Sequence, residues 1–227
     1  IDTRITLPAS KSVSNRALIV QALTKEGILP ENLSGCDDTK VILQAFSQPS
    51  DVIDIKASGT AMRFLTAYLC LSQGEHIITG TERMKHRPIK ILVDALRYLG
   101  ADIDYIGNEG YPPLRIRGRE LEGGQLVIPG NVSSQYVSAL LMIAPILTKG
   151  LDLKLTGEIV SRPYIDLTLH IMHEFGVAAE WTNFDTISVK PQQYTRRTYT
   201  IENDWTASSY WYEILALQDD LDAEVVI

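Results

Sequence analysis

Cysteine and histidine are scarce in these 227 residues. The two thiols, Cys36 and Cys70, are too few for the disulfide framework of a small secreted domain, so a reduced, cytoplasmic setting is expected. The four histidines (His76, His86, His170 and His173) are scattered. His170 and His173 are three apart, yet no Cys or acidic residue is spaced to complete a zinc site, and no metal is expected. Long apolar runs are missing too. The longest, Leu140 to Leu147, is broken by Pro145 and falls far short of the roughly 20 residues that span a bilayer. No secretory signal is recognised at the start, although the chain begins inside an apparent strand, Ile1-Asp2-Thr3, and residues upstream are expected. Excess positive charge is absent, and a formal net charge of −7 argues against nucleic acid as a partner. The glycine spacing fits neither a dinucleotide fingerprint nor a P-loop. No Ser-His-Asp arrangement and no general acid–base pair stand out.

What is present is a turn used repeatedly. Arg4-Ile5-Thr6-Leu7 alternates as a strand, and Pro8-Ala9-Ser10-Lys11-Ser12 leads into a helix on which Val13, Ala17 and Val20 share a face. Small residues at such a turn leave N–H groups free to face an anion, and the helix dipole favours negative charge there. Ser12 and Arg16 are four apart and share that first face. Ile28 to Leu33 reads as a strand, and Asp37 or Asp38 as the cap of the next helix. Gln48-Pro49-Ser50 stops it before a strand at Val52 to Ile55. A second small-residue turn, Ala57-Ser58-Gly59-Thr60, and a third, Asn131 to Gln135, also open apolar helices.

Around the second and third turns a pattern recurs. Thr79-Gly80, Arg87-Pro88 and Leu99-Gly100 return in the same order as Thr156-Gly157, Arg162-Pro163 and Phe175-Gly176. With the strands between them this is an internal repeat of β-α-β-α-β-β type. The stretch from Ser10 to Ile55 fits the scheme in a form shortened around Pro49. Thr198 to Ile201 reads as a strand, Ser209 to Gln218 as a helix and Ala223 to Ile227 as a strand start of a further unit that is cut short. The fold class expected is α/β (α+β), a pseudo-threefold domain of three βαβαββ units built on mixed sheets. Its turns would meet at one end with Arg87 and Ser161-Arg162, forming a pocket of N–H, O–H and guanidinium donors for a small anion. Arg63 and Arg162 are expected to form structural ion pairs.

Five ordered stretches resemble the EPSP synthase family of enolpyruvyl transferases. They are Leu7 to Leu18, Ser58-Gly59-Thr60-Ala61-Met62-Arg63, Arg83 to Ile89, Val132-Ser133-Ser134-Gln135-Tyr136 and Val160 to Asp166. The resemblance implies half of a two-domain fold, with residues 3–200 as the shikimate-binding domain and 201–227 as a truncated start of the second. It implies transfer of the enolpyruvyl group of phosphoenolpyruvate to the 5-hydroxyl of shikimate 3-phosphate, without metal or organic cofactor, by a cytoplasmic monomer. Lys11 would be the catalytic residue, touching both substrates. Ser12 and Arg16 would hold the shikimate carboxylate, and Ser133, Ser134 and Ser161 the 3-phosphate, with Tyr164 nearby. Gln135 would lie between the substrates, and Gly59 and Arg87 would face phosphoenolpyruvate. The family usually has Asn or Asp where Ala57 stands, so one side-chain contact is expected to be lost. The related UDP-N-acetylglucosamine enolpyruvyl transferases carry a loop Cys shortly before Arg-Pro, whereas Glu82 to His86 has none. A stand-alone anion-binding module is the alternative from another class.

Overall fold

The computed structural model describes residues 2–48, 50–218 and 224–226. A strand Asp2–Arg4 (β1) precedes helix Lys11–Ala22 (α1), whose first turn is capped by Ser10 accepting from the Val13 N–H. Val13 to Val20 are all buried, so α1 is covered on every side and not along one stripe. Helix Asp37–Ser47 (α2) follows. The expected cap does not form there, because Cys36 occupies the cap position without a side-chain bond and both aspartates lie in the first turn.

Strand Val52–Asp54 (β2), helix Gly59–Leu69 (α3) and strand Gly74–Thr79 (β3) come next, then a four-residue helix Glu82–Lys85 (α4) and helix Lys90–Tyr98 (α5). Strands Asp102–Tyr105 (β4), Leu114–Gly118 (β5) and Gly124–Pro129 (β6) lead to helix Ser134–Ile143 (α6). Pro145, which lacks the N–H that an α-helix needs, converts the end of α6 into a 3-10 turn, Ala144–Ile146. Strand Leu151–Thr156 (β7), helix Arg162–Glu174 (α7), strands Ala179–Trp181 (β8) and Thr186–Val189 (β9), helix Trp205–Ala216 (α8) and strand Glu224–Val226 (β10) complete the described chain.

The repeat read from glycine and proline spacing is visible as two sheets of one design. Their orders are β2-β3-β5-β4 and β6-β7-β9-β8, each with its first pair parallel and the others antiparallel. The first unit in chain order, from Ser10 to Ile55, keeps its helices α1 and α2, but its pairing shrinks to single bridges, Glu31 with Thr200 and Ala9 with Asn203. The expected strands at Ile28 to Leu33 and Thr198 to Ile201 therefore do not form. Pro30 has no N–H to give a ladder, and Asn32 turns left-handed at φ 56°, so only the backbone at Glu31 stays paired. Val52 to Asp54 pairs with β3 instead of closing the first unit. Pro49 and the residues at 223 and 227 lie outside the described residues.

Helices α1, α3 and α6 touch one another pairwise and form the centre of the pseudo-threefold arrangement, with α2, α5 and α7 around them. Both sheets send alternate residues inward, Ile78, Leu114 and Ile116 from one and Leu151, Leu153 and Leu155 from the other, into one continuous core. Strand β1 belongs to neither sheet. It pairs in parallel with β10 in a separate two-stranded sheet, so Thr3 and Arg4 join residues beyond 201.

Candidate anion site

Each central helix starts at a serine cap. Ser10 accepts from Val13, Ser58 from Ala61 and Ser133 from Gln135. The three helix starts converge on a cavity of about 250 Å³ lined by Lys11, Ser12, Asn15, Arg16, Thr60, Ser133, Ser134, Gln135 and Tyr164. Seven of the ten residues expected from sequence are thus brought together. No carboxylate lines the cavity among the described residues.

Arg16 is the wall that matters electrostatically. It is 3% exposed. Its Nε donates to Thr168 Oγ1 at 2.7 Å, Nη1 to the Ser12 carbonyl at 3.0 Å, and Nη2 to Ser138 Oγ at 3.0 Å and the Tyr164 carbonyl at 3.3 Å. All four acceptors are neutral. Phe64 and Tyr164 put ring faces 5.4 and 5.9 Å from the guanidinium carbon. One N–H of Nη1 is left over from the five that arginine offers. The fork is therefore mostly committed to the protein, and its charge has no acidic partner among the described residues. Burial pushes its pKa down to about 10, a drop partly offset by Tyr164.

Lys11 is held differently. Its ammonium, half exposed, lies 3.4 Å from Asp38 Oδ2. The other oxygen of that carboxylate accepts from Ser58 Oγ, so α1, α2 and α3 are tied at one point. Gln135 reaches across to Thr60, Nε2 to Oγ1, at 3.1 Å. Gly59 and Arg87 do not line the cavity but meet beside it. A Cβ on Gly59 would stand 2.6 Å from Arg87 Nη1, so the absence of a side chain is what lets the guanidinium approach the start of α3. Ser161 is also outside the lining, at the head of α7 in a left-handed turn with φ 56°.

Arg63 corrects an expectation. It forms no ion pair among the described residues, and donates instead to the Gly59 and Pro88 carbonyls at 3.1 Å each, with the Tyr136 ring 5.7 Å away. The reason is burial, which leaves 4% exposed and also lowers its pKa. Arg162 does pair, at 4.0 Å, with Asp166, but its closer contact is the Trp181 ring at 3.9 Å. Among the described residues no cluster of His, Cys, Asp and Glu could hold a metal ion.

The family model for EPSP synthase (3-phosphoshikimate 1-carboxyvinyltransferase) matches residues 43–222. The chain belongs to the EPSP synthase family. A 3-phosphoshikimate 1-carboxyvinyltransferase from Bacteroides fragilis is 60% identical over 225 residues, covering 99% of this chain and 55% of that protein. One from Histophilus somni is 41% identical, covering 96% and 58%. The chain spans about half the length of the relatives it matches. EPSP synthase from Acinetobacter baumannii superposes with a TM-score of 0.80 at 22% identity, over 92% of this chain and 52% of that one, a likeness of fold. No helix among the described residues is long and apolar enough to cross a membrane.

Three residues at or beside this cavity escaped the sequence reading. Asn15 and Thr60 line the cavity, and Asp38 orients Lys11. Thr60 had a signal, being the second residue of a helix that opens on the small-residue turn. An acidic residue at a helix start reads as a cap, and nothing local distinguishes Asp38 as a bridge between helices. Where Ala57 stands no side chain reaches out, but its neighbour Ser58 places a hydroxyl on Asp38.

Proposed function

We propose that this chain is the shikimate-side half of an EPSP synthase. Shikimate 3-phosphate binds in the cavity at the three helix starts, and the protein transfers the enolpyruvyl group of phosphoenolpyruvate to its 5-hydroxyl with release of phosphate. The observation that carries the reading is Arg16, a buried guanidinium with no acidic partner among the described residues, beside a small polar cavity. A charge removed from water calls for a counter-charge, and an anionic ligand supplies it.

In this reading Ser12 and the free N–H of Arg16 take the carboxylate of the shikimate ring. Ser133 and Ser134, at the positive end of α6, take the 3-phosphate together with Ser161, and Tyr164 closes the side of the cavity. Lys11, steered by Asp38, contacts both substrates at the reacting centre, and Gln135 lies between them. Gly59 and Arg87 face phosphoenolpyruvate, the glycine making room for the guanidinium. Residues 3–200 act as the shikimate-binding domain and 201–227 as the start of the second. The working protein is a cytoplasmic monomer that needs no metal, organic cofactor or nucleic acid.

Calorimetric titration with shikimate 3-phosphate, with and without phosphoenolpyruvate, tests the proposal. Truncating one side of a buried charged contact costs about 2–5 kcal/mol, so Arg16→Ala is expected to abolish detectable binding. Equal affinity in the parent chain and Arg16→Ala would remove the cavity from consideration.

A further inference from the structure

The cavity is held from behind by a cluster of residues outside its lining. Ser161 adopts a left-handed backbone, φ 56° and ψ 33°, which a non-glycine residue keeps only where its surroundings impose it. Its side chain caps none of the N–H groups of α7, so the restraint comes from elsewhere. The next residue is fastened on the outer side of the helix. The Arg162 guanidinium lies 3.9 Å from the centre of the Trp181 ring on β8, and its Nη1 donates to the Phe184 carbonyl at 3.1 Å in the β8–β9 turn. The Trp181 indole N–H donates to Asp166 Oδ1 at 2.8 Å, and the other Asp166 oxygen faces Arg162 Nε. Arg162, Trp181 and Asp166 thus close a ring around the outer side of the first turn of α7.

The inner side of that turn is the cage of Arg16. The Tyr164 carbonyl accepts from Arg16 Nη2 and from Thr168 Oγ1, and Thr168 Oγ1 in turn receives Arg16 Nε. One helical turn therefore has its outer face fastened to a hairpin and its inner face on the buried charge. We propose that Trp181 is a positioning residue for the anion cavity, acting through Arg162 and Asp166 to fix the turn at Ser161 and the Tyr164 carbonyl against Arg16. The proposal rests on the cavity being the shikimate 3-phosphate site. The chemistry is specific. The indole offers a π face to the cation and an N–H to the carboxylate at once.

The test compares the parent chain with Trp181→Leu, Trp181→Phe and Arg162→Ala by titration with shikimate 3-phosphate. It also measures amide exchange from Tyr164 to Thr168 in the ligand-free proteins. Trp181→Leu is expected to weaken binding roughly tenfold, within the range that a close cation–π contact carries, and to speed exchange in that turn. Trp181→Phe, which keeps the ring face, should restore most of the affinity. If Trp181→Leu does not fold, Arg162→Ala, at a partly exposed residue, carries the same expectation. Parental affinity together with parental exchange in the folded variants would overturn the proposal. If the parent chain itself fails to bind, the reading of the cavity fails, while exchange at α7 still decides the clip, and unchanged exchange refutes it.

Discussion

At the residue, burial and hydrogen bonding set the chemistry. Cys36 and Cys70 make the comparison. Burial opposes ionisation of Cys36, but hydrogen bonds from Ser34 and Thr39 outweigh it and lower its pKa, whereas burial alone raises Cys70 far above the ordinary thiol. Iodoacetamide at mildly alkaline pH is therefore expected to label Cys36 and spare Cys70, with the modified peptide identified by mass spectrometry. Labelling of Cys70 in the folded chain would contradict this account. Arg16 shows the reverse balance for a base. Its ionised form is disfavoured by the fold, so its charge costs stability at neutral pH, and the cost fades only as pH rises through about 10. A bound anion relieves the same cost at neutral pH, so ligand binding and stability are coupled through this one group. Gly59 keeps room for two guanidiniums. A Cβ there would stand 2.6 Å from Arg87 Nη1 and 3.1 Å from the buried Arg63 Nη1. Gly59→Ala is expected to displace Arg87 and to remove any gain that phosphoenolpyruvate gives to shikimate 3-phosphate binding. A variant that still shows the full gain would mean that Arg87 works from another position.

At the element, the serine caps carry both order and site. Replacing a capping serine by alanine costs about 1 kcal/mol. Ser10→Ala should cost that much. Ser58→Ala should cost more, because its hydroxyl also holds Asp38, and chemical denaturation of the two variants measures the difference. Equal losses would mean that the link to Asp38 contributes nothing. The central helices were legible in the sequence because their turns and their apolar spacing agree. The two four-stranded sheets were legible through the recurring Thr-Gly and Arg-Pro signals. Ile28 to Leu33 misled, since a short extended stretch says nothing about whether a partner lies alongside. Pro30 was the contrary signal. Asp38 and Arg63 were misjudged for a related reason, as each is defined by groups distant in sequence: Lys11 for one, the Pro88 carbonyl and Tyr136 for the other.

For the whole molecule, the proposed reading makes the cavity a half-site. It gathers N–H, O–H and cationic groups, and Asp38 beside it is engaged by Lys11 and Ser58. Transfer of the enolpyruvyl group needs protons moved to and from the substrates, and among the described residues no carboxylate lines the cavity as a general acid. The chain by itself is therefore expected to bind shikimate 3-phosphate but not to turn over. Adding the remaining half of a relative in trans is the condition under which activity could appear. Phosphate release from phosphoenolpyruvate, dependent on shikimate 3-phosphate and catalysed by the 227-residue chain alone, would refute this.

The pairing of β1 with β10 has a consequence in time. Asp2 faces Glu224, so β1 has its partner only after more than two hundred further residues are synthesised. At about 5–20 residues per second that is a wait of roughly 10–40 seconds, in which the core of α1, α3 and α6 can already assemble. The clasp thus closes after the contacts among α1, α3 and α6 have become available, and the edge of β1 is open to other chains for as long as the wait lasts.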